Sequence, residues 1–185
     1  MTTSPNTIRV KLTNPKEAQG ALKEELERTR SMLGMIPNVF KVAANSASAL
    51  TALNCLFESV KKCSLGTRIA EQLALALATQ NKCQYCSRAH SALAAGVGLD
   101  SREIMAAQKC TGSDSKAQAA ITLAIELNRN HGMVNDGFLE NVRSEGISDE
   151  QIIEIILITI QNLFTHMVNN LARTPCEFPE LPSLV

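Results

Sequence analysis

The sequence predicts an all-α protein, and three observations support this fold class. Strand signals are nearly absent, since the chain has no alternating Val/Ile/Thr run and no Asn-Gly hairpin. Helix-capping residues and helix-ending glycines and prolines recur along the chain. Apolar residues make up 45% of the chain but aromatic residues only 3%, so Ala and Leu must build the core. We therefore expect one helical domain over residues 1–185, with an N-terminal extension at 1–13 and an extended tail at 174–185.

Capping residues and apolar spacing define nine expected helices. In chain order, we expect them from Asn14-Pro15 to Leu33, through Val42 to Ala44, from Ser46 or Ser48 to just before Gly66, over residues 67–81, from about Cys83 to just before Gly96, from Asp100 onward, from Ser113 or Asp114 to Arg129, from Asn135 or Asp136 to Gly146, and from Ser148 to about Ala172. Two of the starts are capping boxes, formed by Asp100 with Glu103 and by Ser148 with Gln151. Helix 67–81 is apolar nearly all round, so it should be central and buried.

The composition argues against several classes of partner. Lys plus Arg and Asp plus Glu number 18 each, so no charge excess indicates nucleic acid or a basic partner. The aromatic side chains that stack on single-stranded bases are scarce. Residues 1–6 contain no apolar run, and the longest apolar stretch, 152–164, is interrupted by polar residues. Neither a signal peptide nor a membrane span is therefore expected, and a cytoplasmic location follows by default.

The most informative motif is Cys83-Gln84-Tyr85-Cys86, followed four residues later by His90. Cys83, Cys86 and His90 share one helical face, because they are spaced by three and four residues. We expect the motif at a helix N-terminus, where partial positive charge stabilises a thiolate at Cys86. His90 can accept the Cys86 proton directly or through water. The alternative is a buried pair of small hydrophobic residues beside a surface histidine.

Zinc binding is a second alternative for this motif. Cys83 and Cys86 would supply two ligands and His90 a third, but a structural zinc site needs four. The other candidate ligands show no pairing in the sequence: Cys63, Cys110, Cys176, His131 and His166. We therefore expect neither a metal nor another cofactor. A thioredoxin domain is disfavoured as well, because that fold needs a strand before its CxxC motif.

Glu71 is the only acidic residue between Ser64 and Lys82, and it lies on the apolar central helix. A buried carboxylate is costly unless it is hydrogen-bonded. Glu71 either pairs with Arg68 near the helix start, or it orients His90 and accepts its proton. The sequence leaves these two interpretations equally open.

A polar face interrupts the last, otherwise apolar helix. Its members stand at helical spacing: Asn162, Thr165, His166, Asn169 and Asn170. We favour interhelical hydrogen bonds or an oligomer contact as the purpose of this face. The other interpretation makes His166 part of a substrate pocket wall.

At these spacings, Glu71, Cys83, Cys86 and His90 resemble the signature of the alkylhydroperoxidase D-like branch of the carboxymuconolactone decarboxylase superfamily. Further segments are similar to the uncharacterised peroxidase-related enzymes of this branch, so the resemblance covers roughly residues 30–180. These segments are Met35-Ile36-Pro37-Asn38-Val39-Phe40-Lys41, Arg68-x-x-Glu71-Gln72, Asn162-x-Phe164-Thr165 and Glu177-Phe178-Pro179.

This resemblance implies an AhpD-like helical bundle that assembles as a homotrimer or homohexamer and acts as a thiol-dependent peroxidase. By position, Cys86 matches the peroxidatic cysteine and Cys83 the resolving one, while His90 and Glu71 match the proton relay. The implied partners are a peroxide and an external thiol or dithiol that reduces the disulfide, without a cofactor. Tyr85, a possible pocket residue, occupies the place of a second histidine in the best-studied hydroperoxidases.

Other functions remain open at the level of sequence. A general disulfide reductase or a redox sensor would use the same dithiol without fast peroxide chemistry. A non-catalytic scaffold would carry the dithiol incidentally. Lactone decarboxylation is less favoured, because the decarboxylases of the superfamily do not rely on a CxxC dithiol.

Overall fold

A computed structural model describes residues 7–180, and within this range it contains helices and no strand. The predicted all-α fold class is therefore confirmed. The helices, in chain order, are α1 (Gly20–Leu33), α2 (Asn38–Ala43), α3 (Ala47–Val60), α4 (Thr67–Gln80), α5 (Gln84–Gly96), α6 (Ser101–Gln108), α7 (Ser115–Asn130), α8 (Asp136–Ser144) and α9 (Asp149–Ala172). Residues 1–6 of the expected N-terminal extension and 181–185 of the expected tail lie outside the described range.

The first helix begins later than the sequence pattern predicts. Instead of opening a helix, the Asn14 side chain makes a turn: its Oδ1 accepts a hydrogen bond from the Lys16 amide at 3.1 Å, and its Nδ2 donates to Glu17 at 2.7 Å. These local bonds give the backbone an alternative to the helix. Gly20 then adopts a φ of 54°, and the helix starts there. The predicted start at Asn14-Pro15 was wrong for this reason.

Helix α4 is the centre of the fold. It packs against α5, α6, α7 and α9, and the seven consecutive residues Gln72–Ala78 are all buried. Small Ala and larger Leu side chains alternate in this segment, which allows close helix packing on every side. The prediction of a central, buried helix is confirmed.

A short connection from α4 places the CxxC motif at the start of α5. Asn81 caps the end of α4, and Lys82 reverses the chain with a φ of 52°. The Cys83 amide then donates to the Ala78 carbonyl at 2.9 Å, which holds the turn against α4. Cys83 is the N-cap of α5, as the sequence predicts.

Helix α9 is long and apolar enough to cross a membrane by length and composition. It packs against α2, α3, α4, α5 and α7, however, and nine of its residues are buried. Two of its buried polar residues, His166 and Asn169, lie beside the dithiol at the start of α5. This helix is therefore a core element that brings amide and imidazole groups to the dithiol.

Candidate active site

Cys83 and Cys86 form a disulfide at the first turn of α5, with their Cα atoms 5.3 Å apart. The Cys83 sulfur caps the helix, because it accepts a hydrogen bond from the Cys86 amide at 3.3 Å. Both cysteines are buried, with exposed fractions of 1% and 2%. The place of Cys83 at the edge of its helix predicts, from sequence alone, that it is the more exposed of the two. That prediction is wrong, because Cys83 is packed within the hydrophobic core around α5.

An open apolar pocket reaches Cys86. The cavity volume is about 110 Å³, and its wall includes Cys86 and His90 but not Cys83. Most of the remaining wall is apolar: Leu33, Met35, Pro37, Val39, Phe40, Phe57, Ala89, Leu93 and Phe178. A ligand that enters this pocket therefore meets the Cys86 sulfur in a largely apolar environment.

His90 and Glu71 are hydrogen-bonded across the α4–α5 interface. The His90 Nδ1 lies 2.8 Å from the Glu71 Oε2, and both side chains are largely buried. Glu71 does not pair with Arg68, which instead binds Glu103 at 2.6 Å. With Nδ1 donating to the carboxylate, the other ring nitrogen of His90 is left as a proton acceptor.

Tyr85 connects the CxxC helix to the C-terminal segment. Its hydroxyl donates to the Glu177 carboxylate at 2.8 Å, and its ring packs edge-on against Phe178. Burial and the nearby Glu177 charge raise the pKa of Tyr85 well above its usual range, so the hydroxyl stays protonated. Tyr85 also lines the apolar pocket.

Asn169 extends from α9 to the dithiol. Its side-chain amide donates to the Cys86 sulfur, with an Nδ2–Sγ distance of 3.3 Å. Asn169 is 4% exposed and lines the same pocket as Cys86. An N–H group in this position can stabilise negative charge on Cys86 once the disulfide is reduced. Sequence analysis assigned this residue only to a polar face of the last helix.

His166 lies one turn before Asn169 and is buried, with an exposed fraction of 2%. One of its ring nitrogens lies within 4.8 Å of both the Cys83 and Cys86 sulfurs. Its Nδ1 is 3.0 Å from the amide nitrogen of Asn81. Burial, with a smaller contribution from His90, lowers the pKa of His166 to about 3, so the ring is neutral.

Three polar atoms on this face of α9 are buried without a hydrogen-bond partner among the described residues. They are the His166 Nε2, the Asn162 Oδ1 and the Asn169 Oδ1. Unsatisfied buried polar atoms are uncommon and costly, and they concentrate where a protein binds or reacts. His166 does not line the apolar pocket, in contrast to the minority interpretation from sequence; it faces the dithiol from within the core.

A second, polar cavity of about 580 Å³ adjoins the start of α5. It shares Tyr85 and Asn169 with the apolar pocket. Three cationic side chains line it: Lys82, Arg88 and Arg173. The start of α5 therefore adjoins two cavities of different chemistry, one apolar and one basic.

Comparison with known sequences supports the resemblance. Residues 47–126 match the carboxymuconolactone decarboxylase family, a range that includes Glu71, Cys83, Cys86 and His90. None of the curated proteins compared matches the chain significantly.

Comparison with solved structures gives the same fold over nearly the whole chain. An uncharacterised peroxidase-related protein from Silicibacter sp. TM1040 is 21% identical, with a TM-score of 0.77 and coverage of 94% of this chain and 92% of that one. A second peroxidase-related protein with an alkylhydroperoxidase AhpD core, from Ralstonia eutropha JMP134, is 18% identical, with a TM-score of 0.81 and coverage of 95% and 94%.

A third similar structure is the debrominase Bmp8, as a cysteine-to-alanine variant in complex with 2,3,4-tribromopyrrole. It is 20% identical, with a TM-score of 0.77 and coverage of 95% of this chain and 94% of that one. The fold, the matched segment and the spacing of the signature residues agree with one another. Residues 47–126 of the chain thus match the carboxymuconolactone decarboxylase family, and the chain shares the fold of a structure with an alkylhydroperoxidase AhpD core.

Proposed function

We propose that this protein is a thiol-dependent peroxidase that reduces organic hydroperoxides or hydrogen peroxide through a Cys83–Cys86 dithiol and disulfide cycle. The observation that carries the proposal is the position of Cys86: it closes a disulfide with Cys83 and also lines an open pocket with His90. A dithiol with a nearby base and a substrate cavity has the groups that two-electron peroxide reduction needs.

In the first step, His90 accepts the proton of Cys86, and Glu71 orients the imidazole and stabilises its positive charge. The 2.8 Å contact between His90 and Glu71 supports this role. Asn169 donates a hydrogen bond to the Cys86 sulfur and stabilises the thiolate. The thiolate attacks one oxygen of the peroxide and the O–O bond breaks. The leaving oxygen takes up the proton held by His90, so the products are a sulfenic acid on Cys86 and an alcohol or water.

In the second step, the Cys83 thiolate attacks the Cys86 sulfenic acid. The disulfide forms, and the hydroxyl group leaves as water after taking up a proton. An external thiol or dithiol then supplies two electrons and returns both cysteines to the reduced form. Such reductants are abundant in a reducing compartment, in keeping with our proposal of a cytoplasmic location.

The pocket favours organic hydroperoxides over hydrogen peroxide as substrates. The pocket wall beside Cys86 consists mostly of apolar side chains, among them Leu, Met, Val and Phe. A small hydrophilic peroxide has no apolar surface to bury against them. An alkyl or aryl group would bury apolar surface there, at about 25 cal/mol per Å².

We further propose that residues 1–185 fold as one domain.

A second candidate is reductive dehalogenation of a small aromatic compound. The shared fold of the debrominase Bmp8 and the apolar pocket beside Cys86 favour it. Both candidates use the dithiol as a two-electron donor, so the substrate distinguishes them. The reduced protein should consume a hydroperoxide and leave a bromopyrrole intact if it is a peroxidase, and the reverse result would favour dehalogenation.

Replacing the two cysteines separately should assign their roles. Cys86→Ser should abolish peroxide consumption. Cys83→Ser should consume about one equivalent per chain and stop as a sulfenic acid, because the resolving thiol is gone. Peroxide assays and mass spectrometry of trapped sulfenic acid would measure both outcomes.

Cys63→Ser is the matched control for these variants, since burial raises the pKa of the Cys63 thiol and it lies outside the pocket. It should keep full activity. If Cys83→Ser turned over normally while Cys86→Ser retained the sulfenic acid, the two roles would be exchanged.

Removing either member of the relay should slow formation of the Cys86 thiolate. We expect His90→Ala to lower the rate of peroxide attack by roughly 100- to 10,000-fold. Glu71→Gln should lower the same rate by a somewhat smaller factor. Higher pH should partly rescue His90→Ala, because hydroxide then generates the thiolate. Stopped-flow measurements against pH would show this.

Glu126→Gln is a suitable control for the relay variants. Glu126 accepts a hydrogen bond from Asn130 on α7, away from the dithiol. Its substitution should leave the rate unchanged. A His90→Ala rate that matched the wild type at neutral pH would exclude the imidazole as the base.

Asn169→Leu should raise the pKa of the Cys86 thiol. Loss of a hydrogen bond to a charged group costs about 1.5–3 kcal/mol, which corresponds to a rise of about 1–2 pKa units. The difference in thiolate absorbance between a Cys83→Ser variant and a variant that also carries Cys86→Ser would isolate Cys86 from the other four cysteines. Attack on peroxide should slow at neutral pH and recover at high pH, where the thiolate forms without help.

Asn170→Ala provides the comparison for Asn169, because the Asn170 amide donates to the Asn81 carbonyl rather than to sulfur. It should leave the Cys86 pKa near its wild-type value. An unchanged pKa in Asn169→Leu would mean that the amide only fills space.

We propose a homotrimer or homohexamer as the assembled form. Exposed apolar side chains recur along one face of α9 at helical spacing: Ile153, Ile156, Ile160, Met167 and Leu171. Light scattering should give three or six times the chain mass. Ile153→Lys with Met167→Lys should lower that mass, and a monomeric wild-type protein at micromolar concentration would contradict the proposal.

A further inference from the structure

The reduced dithiol and His166 together form a set of metal ligands. The ligand atoms of Cys83, Cys86 and His166 all lie within 4.8 Å of one another, and all three residues are buried. A tetrahedral Zn²⁺ with Zn–S of about 2.3 Å and Zn–N of about 2.0 Å separates its ligand atoms by about 3.5–3.8 Å. The three atoms are thus close to the spacing that such an ion requires, and reduction frees the sulfurs to reach it.

The unsatisfied nitrogen of His166 is an independent indication of a ligand. Its Nε2 is buried and has no hydrogen-bond partner within residues 7–180. The Nδ1 is held by Asn81 at 3.0 Å, so Nε2 is the nitrogen left for another group. Nε2 can bind a metal when Nδ1 carries the ring proton, because only an unprotonated ring nitrogen offers a lone pair.

The surroundings of His166 also suit a metal ligand. Asn81 accepts a hydrogen bond from the side chain of Asn128. With both amides reversed, Asn81 Nδ2 donates to Asn128 Oδ1 instead, and the Asn81 oxygen can accept from the protonated Nδ1 of His166. A metal-bound histidine typically donates its second N–H to such an oxygen, which fixes the ring.

A fourth ligand and an entry path are both present. The Asn169 Oδ1 is buried and unpaired within the described range, and the same side chain contacts the Cys86 sulfur through its Nδ2. Cys86 and Asn169 both line the open apolar pocket, through which an ion or a water ligand can reach the dithiol. Cys83, Cys86 and His166, with the Asn169 Oδ1 or a water molecule in the fourth position, would make a recognised type of zinc site.

We propose that the reduced protein binds one thiophilic divalent cation, with Zn²⁺ as the best fit, through Cys83, Cys86 and His166. The disulfide form lacks the two thiolates and releases the ion. Sequence analysis considered His90 as the third ligand, but His90 is bonded to Glu71 and lies outside the three-residue cluster. Bound metal would hold both sulfurs and slow the reaction of the dithiol with peroxide.

Oxidation of the two cysteines in this site must also release the metal ion. Two thiolates bound to Zn²⁺ give two electrons to a hydroperoxide, which takes up two protons and leaves as an alcohol and water. The sulfurs then form the disulfide, and Zn²⁺ is released. This last consequence rests on the proposed peroxidase activity, whereas binding of the ion does not.

The experiment uses the full chain, reduced with a phosphine and kept free of oxygen. Titration with Co²⁺ should produce thiolate-to-cobalt charge transfer and the intense visible bands of a four-coordinate ion. Competition for Zn²⁺ with a coloured chelator should give one ion per chain for the reduced form only. Equal binding by the oxidised protein, or the absence of charge transfer, would overturn the proposal.

Histidine variants identify the third ligand. His166→Gln should weaken Zn²⁺ binding at least tenfold. His131→Asn removes an exposed histidine at a left-handed position that Asn tolerates, so it should bind as the wild type does. Retained affinity in His166→Gln with loss in His90→Gln would overturn the ligand assignment.

These readouts involve no peroxide, so they succeed or fail independently of the proposed peroxidase activity. Circular dichroism would check that His166→Gln remains folded. The comparison of reduced and oxidised wild-type protein needs no substitution and decides the proposal even if that variant unfolds.

Discussion

The contact between the polar face of α9 and the first turn of α5 determines the character of this protein. A dithiol at a helix N-terminus is ordinarily reached by solvent, but here α9 covers it. Burial on this scale would be costly if the covering helix were wholly apolar, because a reduced thiolate would lack hydrogen-bond partners. Asn169 instead supplies an N–H group at 3.3 Å from the Cys86 sulfur. The same interface therefore buries the sulfur and leaves it able to carry charge.

Helix α4 supports this interface from the opposite side. Its seven buried residues Gln72–Ala78 fix the positions of α5 and α9 relative to one another. Glu71 stands immediately before this buried run, where its carboxylate reaches His90 while remaining partly exposed. If this carboxylate stood one residue further along the helix, its charge would lie in the core, where the loss of hydration would cost much more free energy.

Local sequence signals predicted much of this structure. The capping boxes at Asp100 and Ser148, the central helix and the helix start at Cys83 all depend on residues within four positions of one another, and all are present. The Glu71–His90 contact was one of two stated alternatives, because a lone carboxylate on an apolar helix needs a partner.

The features that sequence analysis missed depend on distant parts of the chain. Asn169 and His166 are recognisable as a polar face, but only the packing of α9 on α5 shows that they meet a dithiol about 80 residues earlier. The late start of α1 was missed because side-chain bonds of Asn14 compete with a helix whose apolar pattern looks continuous. Burial of Cys83 was missed for the same reason as Asn169, since the covering residues are remote in sequence.

The C-terminal segment has a consequence for how this pocket could diversify among relatives. Glu177 bonds both the Asn38 amide at 2.7 Å and the Tyr85 hydroxyl at 2.8 Å, and this brings Phe178 into the pocket wall. The pocket wall thus includes Phe178, a residue of the non-helical segment that follows α9, and this segment contributes nothing to the sulfur chemistry. Changes in the length or the side chains of this segment can alter the pocket volume that a substrate can occupy. Such changes leave the dithiol, its base and their helices unaltered. Substrate range and reactivity can therefore evolve separately within this fold.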